Sequence, residues 1–91
     1  MRKVVITGLG AVSPLGCDLE TVWNRLTSGF SGISRITHFD ASNHPSQIAG
    51  ELRDFDVNAF LDPKSQRRMD AFSHFAIAAS RLAVQDAGID W

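Results

Sequence analysis

The run VVITGLGAVSPLG, Val4 to Gly16, passes from continuous β-branched residues straight into a glycine-rich turn. Val4, Val5 and Ile6 favour extended backbone, because branching at Cβ restricts χ1 and packs well on a pleated surface. Their apolar character is continuous rather than alternating, so both faces of such a strand need cover. That is the situation inside a parallel or mixed sheet with helices on each side. Gly8, Gly10 and Gly16 then allow close backbone approach, and Pro14 fixes φ without donating to a ladder. A buried first strand followed by a shaped loop is therefore expected at the start of the chain.

A strand followed by Gly-x-Gly also invites a dinucleotide reading. That fingerprint needs a third small residue opening a helix, so that pyrophosphate can rest on free N–H groups at the helix terminus. Ser13 and Pro14 stand there instead, and the next helix start is Asp18. Nucleotide binding is set aside on that mismatch, and no cofactor is expected.

Asp18 caps a helix running to about Ser28, with Val22, Trp23 and Leu26 as its apolar stripe and Gly29 to stop it. From Phe30 to Gly50 the composition of Ser, Gly, Asn, His and Pro predicts a long irregular connection anchored by Ile33, Ile36 and Phe39 as buried pegs. A short extended segment is expected near Ile48 to Arg53. Phe55, Val57, Phe60 and Leu61 then read as a short helix or turn ending at Asp62-Pro63.

The clearest helix is Ala71 to Ala87, where Phe72, Phe75, Ala76, Ala79, Leu82 and Ala83 recur at steps of three and four. Asp70 is placed to cap it and Gly88 to end it. Ile77, Ala78 and Val84 add apolar surface on its other faces, so it is expected to be buried nearly all round. Ninety-one residues with one good strand and two good helices hold too little else to cover it, which makes the chain read as part of a larger domain.

Composition narrows the function. Nine Lys and Arg against ten Asp and Glu leave a net charge of −1, unlike the basic domains that bind nucleic acid. The single cysteine, Cys17, has no partner for an internal disulfide, and no signal peptide or spanning apolar run is present, so a cytoplasmic protein without membrane attachment is expected. His38, His44 and His74 lack Cys or carboxylate neighbours at ligand spacing, so no metal site is expected. His38 and His44 read as hydrogen-bonding loop residues, and His74 lies on the long helix. Lys64, Arg67 and Arg68 fall at i, i+3 and i+4, which gathers three cations on one face of a helical turn begun by Asp62 and Pro63. Such a face is either a solvated surface or a dock for an anionic partner, for which Arg offers a planar donor fork.

Three segments together, VVITGLGAVSPLG, SGISRITHFD and KSQRRMDAFSHFAIAASRLAVQDAGID, resemble the N-terminal region of the β-ketoacyl-acyl carrier protein synthases, most nearly the elongating synthase II type. The resemblance runs in order along essentially the whole chain. It implies a thiolase-like α/β fold of αβαβα layers, with residues 1–91 an incomplete N-terminal portion of the first half, in an enzyme that is usually a homodimer. It also implies a decarboxylative Claisen condensation in fatty acid biosynthesis, in which a cysteine thiolate receives the acyl group and two histidines and an oxyanion hole promote malonyl decarboxylation. None of those catalytic residues is in this sequence. Cys17 matches a variable position after the glycine loop, Ser13 has no triad context, and the three histidines do not match the catalytic pair. The segment alone is therefore expected to be inactive. Lys64, Arg67 and Arg68 match the positions that grip acyl carrier protein, although the third is Arg where Lys is frequent. The other readings are a catalytically silent polyketide chain-length factor of the same fold and a non-enzymatic module that binds carrier protein.

Overall fold

A computed structural model describes residues 2–90. The elements in chain order are α1 (Leu19–Thr27), β1 (Ile33–Arg35), β2 (Ile48–Gly50), a 3-10 turn (Val57–Ala59), α2 (Pro63–Arg67) and α3 (Ala71–Ala87).

The helices start and stop where the sequence places the signals. Asp18 accepts from the Thr21 amide at 3.2 Å and from the Thr21 hydroxyl at 3.0 Å, satisfying a donor at the N-terminus of α1 that has no intrahelical partner. α3 covers Ala71–Ala87 and ends on Gly88 in the left-handed region at φ 69°, a conformation in which a Cβ is strained. Asp70 occupies the N-cap position of α3, but its side chain makes no capping hydrogen bond.

The N-terminal run departs from expectation. Among the described residues it has no ladder partner, and Val4, Val5 and Ile6 are exposed, Val4 at 96%. The reason is topological: a strand with two apolar faces needs neighbours, and the one sheet described, β1 with β2, meets the run at Pro14, which lies against Gly32 and Gly50, and pairs with none of Val4 to Ile6. What the run does find is α3. The Leu9 amide donates to Asp86 Oδ2 at 2.9 Å. Gly8 lies against Ala83 and Ala87, and Gly10 against Ala79 and Ala83, so close that a Cβ at Gly10 would sit 2.7 Å from the Ala83 nitrogen. Two residues of advance along the run match one turn of helix in the opposite sense. An extended chain covers about 6.6 Å in two residues and a helix about 6 Å in four, so the two periods mesh. The glycines and alanines are therefore two halves of one close-packed seam.

The extended segment expected near Ile48 to Arg53 is present as β2, and the correction concerns the connection before it, which is not wholly irregular because it holds β1. β1 pairs antiparallel with β2 in the register Ile33↔Gly50, Ser34↔Ala49, Arg35↔Ile48. The Ile36 amide continues the pairing to the Gln47 carbonyl at 2.9 Å. Ile33 and Phe39 are not buried pegs, being 55% and 56% exposed. Ile36 is half-buried, and the buried residue of this connection is Ala41.

As expected of 91 residues, the chain holds too little to cover a helix with apolar surface all round: of α3 only Ala78 is buried, and Phe72 is 72% exposed. The accessible area is 7275 Å², against about 5,200 Å² for a compact protein of this mass. The radius of gyration is 16.0 Å, where about 12 Å is usual for this length. The helices and the hairpin thus form an open arrangement with large apolar surfaces facing water.

Candidate docking site

α2 is built for a short, fixed turn. Pro63 takes the first helical position, where its missing N–H is no loss. Asp62 caps it, accepting from Ser65 Oγ at 2.6 Å and Ser65 N at 3.3 Å. Those bonds, the hydroxyl's first, hold the Asp62 carboxyl below the usual aspartate range. Lys64 and Arg67 follow within the helix and Arg68 is its C-cap residue. The turn therefore brings the three cations together as their spacing predicts. All three are exposed, and among the described residues none of them enters an ion pair.

The inner side of α2 carries contacts that the sequence reading did not find. Gln66 Nε2 donates to Asn58 Oδ1 and to the Leu61 carbonyl, both at 2.8 Å. His74 Nε2 lies 3.1 Å from the Gln66 carbonyl. Nearby, Phe55 stacks on Phe60 at 5.8 Å and meets Phe75 edge-on at 5.4 Å, tying the 3-10 turn to α3. A glutamine inside a basic run offers no pattern that distinguishes an anchor from a spacer, so only the structure reveals this network.

The second polar cluster, also missed, closes the hairpin. The side chain of Glu51 is only 7% exposed. Its Oε1 accepts from the Thr37 amide at 2.9 Å and the Thr37 hydroxyl at 3.1 Å, and its Oε2 from the His38 amide at 3.0 Å. His38 Nδ1 lies 3.3 Å from Oε2, and Arg53 Nη2 lies 3.5 Å from Oε1. Arg53 also donates to Ser34 Oγ at 2.7 Å and the Arg35 carbonyl at 2.8 Å. Loss of hydration pushes the Glu51 carboxyl up. The amides of Thr37 and His38, the Thr37 hydroxyl and the charge of His38 outweigh that, and the group titrates below its ordinary value.

The remaining candidates have local partners. Ser13 and Gly16 exchange two backbone hydrogen bonds at 3.0 Å, and Ser13 Oγ donates to the Gly16 carbonyl at 3.1 Å and accepts from the Leu15 amide at 3.2 Å. Three N–H groups of the loop are thus satisfied within it rather than presented to a phosphate. Cys17 is a half-buried free thiol. His44 sits edge-on to Phe39 at 5.4 Å. Among the described residues no group of three His, Cys, Asp or Glu is arranged to hold a metal, and no helix is long and apolar enough to cross a membrane.

The family model of the β-ketoacyl synthase N-terminal domain matches residues 1–91. The chain belongs to the β-ketoacyl synthase family. This synthase segment is 49% identical over 86 residues to the 3-oxoacyl-[acyl-carrier-protein] synthase 2 of Synechocystis sp., covering 94% of this chain and 21% of that protein. It is 52% identical over 89 residues to the protein of that name from Coxiella burnetii, covering 98% of this chain and 22% of the relative. It also superposes on the ishigamide ketosynthase/chain length factor with a TM-score of 0.85 at 34% identity, over 94% of this chain and 21% of that one. A β-ketoacyl synthase from Burkholderia phymatum gives 0.79 at 33% identity, over 99% of this chain and 22% of the other. The chain thus spans about a fifth of the length of the relatives it matches. Its mixture of helix and strand is that of the corresponding part of a ketosynthase.

Proposed function

We propose that the chain is the N-terminal portion of the first half of a 3-oxoacyl-[acyl-carrier-protein] synthase of fatty acid biosynthesis, acting in the cytoplasm as a homodimer. In this reading the full-length enzyme has a thiolase-like fold of αβαβα layers and condenses an acyl-enzyme with malonyl-carrier protein, losing carbon dioxide. Residues 1–91 supply the glycine-containing run that lies along α3, the helix itself and the surface that receives acyl carrier protein. They supply no catalytic residue, and the reading requires no cofactor. The observation that carries it is identity of about half over nearly the whole segment with relatives named as this synthase.

Lys64, Arg67 and Arg68 are the docking residues in this reading. They are exposed and free of internal carboxylates, so an acidic partner meets them without first breaking an ion pair. Reversing all three to Glu in the full-length enzyme should weaken carrier-protein affinity by about tenfold or more at low salt, with the gap closing as salt rises towards about 1 M. Surface plasmon resonance across a salt series measures this. Unchanged affinity at low salt removes the docking role.

A second reading, a catalytically silent chain-length factor, draws on the superposition with a chain named ketosynthase/chain length factor. Condensation activity of the full-length protein with acyl- and malonyl-carrier protein separates the two readings.

A further inference from the structure

A five-residue helix does not hold itself, because helix nucleation is unfavourable and isolated helices below about 12 residues are marginal in water. The direction in which α2 presents its charges must therefore be fixed from outside. Asp62 fixes its beginning. Its inner face and its end are fixed by Gln66, which lies about 200° round the helix from Lys64 and from Arg68 and about 100° from Arg67, and so on the side away from Lys64 and Arg68. Gln66 is half-buried where Lys64, Arg67 and Arg68 are exposed. Both hydrogens of its amide are engaged, one by Asn58 Oδ1 and one by the Leu61 carbonyl. Its main-chain carbonyl, at the end of the helix, accepts from the Met69 amide at 3.3 Å and also receives His74 from α3 at 3.1 Å. A carbonyl oxygen only accepts, so this contact requires the proton of His74 on Nε2.

We propose that Gln66 and His74 are positioning residues for carrier-protein recognition: rather than supplying the docking charge themselves, they set the orientation in which the three cations meet the acidic partner. The inference rests on the docking role of Lys64, Arg67 and Arg68. Its distinguishing feature is that affinity falls while every docking charge remains in place.

The test uses the full-length synthase and acyl carrier protein bearing a saturated acyl chain. Gln66→Ala and His74→Phe should each raise KM for the carrier-borne substrate by about fivefold, the effect of one hydrogen bond, with kcat within about twofold of wild type. His74→Gln keeps a side-chain N–H donor and should return KM close to the wild-type value. The triple Glu reversal is measured beside them. If the reversal weakens binding but Gln66→Ala and His74→Phe do not, the positioning role is wrong and the docking role stands. If the reversal has no effect, both fall. A joint loss of kcat and thermal stability in Gln66→Ala and His74→Phe, or failure of His74→Gln to restore KM, makes the contacts merely structural and overturns the inference.

Discussion

At the scale of single residues, the seam between the N-terminal run and α3 depends on missing atoms. A Cβ at Gly10 falls on the Ala79 carbonyl and 2.7 Å from the Ala83 nitrogen, both main-chain atoms of a helix that cannot step aside alone. Gly10→Ala should therefore cost the full-length protein about 1–3 kcal/mol, the usual range for overpacking, read as a lowered midpoint in chemical denaturation. Glu51 gives a prediction of a different kind. Its carboxylate holds two consecutive amides, Thr37 and His38, and titrates below its ordinary value. A group with a depressed folded pKa contributes its stability above the unfolded pKa and loses it as pH falls. The clamp should thus be intact above about 4.3, the ordinary glutamate value, and fail progressively below it. Protection of the Thr37 and His38 amides against hydrogen exchange, relative to the intrinsic rate at each pH, should fall over that acidic window, and Glu51→Gln should show weakened protection already at neutral pH.

At the scale of elements, the two aspartates that precede long helices differ. Asp18 makes two hydrogen bonds to Thr21, whereas Asp70 makes no capping bond. Asp18→Ala should cost about 1 kcal/mol and Asp70→Ala less than about 0.5 kcal/mol, by thermal unfolding of the full-length protein. From sequence the two look alike, because a cap signal specifies a residue type and not the rotamer that its surroundings select. The same distinction runs through the rest of the chain. The limits of α3 are legible because Ala71 to Ala87 repeats with helical period and Gly88 ends it by a local conformational rule. The grouping of Lys64, Arg67 and Arg68 is legible from spacing alone. The first strand of the hairpin is not, because Ile33–Arg35 is three residues long and set in a connection rich in breakers. Nor is the anchor of α2, since Asn58, Leu61, Gln66 and His74 follow no common period.

At the scale of the whole molecule, the excess of exposed surface is concentrated in strongly apolar side chains, among them Val4, Val5, Ile6, Trp23 and Phe72. Unpaired β-branched backbone and a half-bare helix invite association with other chains. Residues 1–91 made alone should give no sharp thermal transition by circular dichroism, should bind a hydrophobic dye, and should sediment as aggregates. A cooperative unfolding transition of a monomer would contradict this.

The contact from Leu9 to Asp86 joins positions 77 residues apart. On a ribosome adding about 5–20 residues each second, the opening run waits about 4–15 s before its helix exists. During that interval Val4, Val5 and Ile6 are apolar, extended in preference and without a partner. The glycines that make the final seam possible give no help until the alanines arrive. A nascent chain of this kind calls for a holding chaperone early in its synthesis, and slowing translation between the opening run and Ala71 should increase that demand.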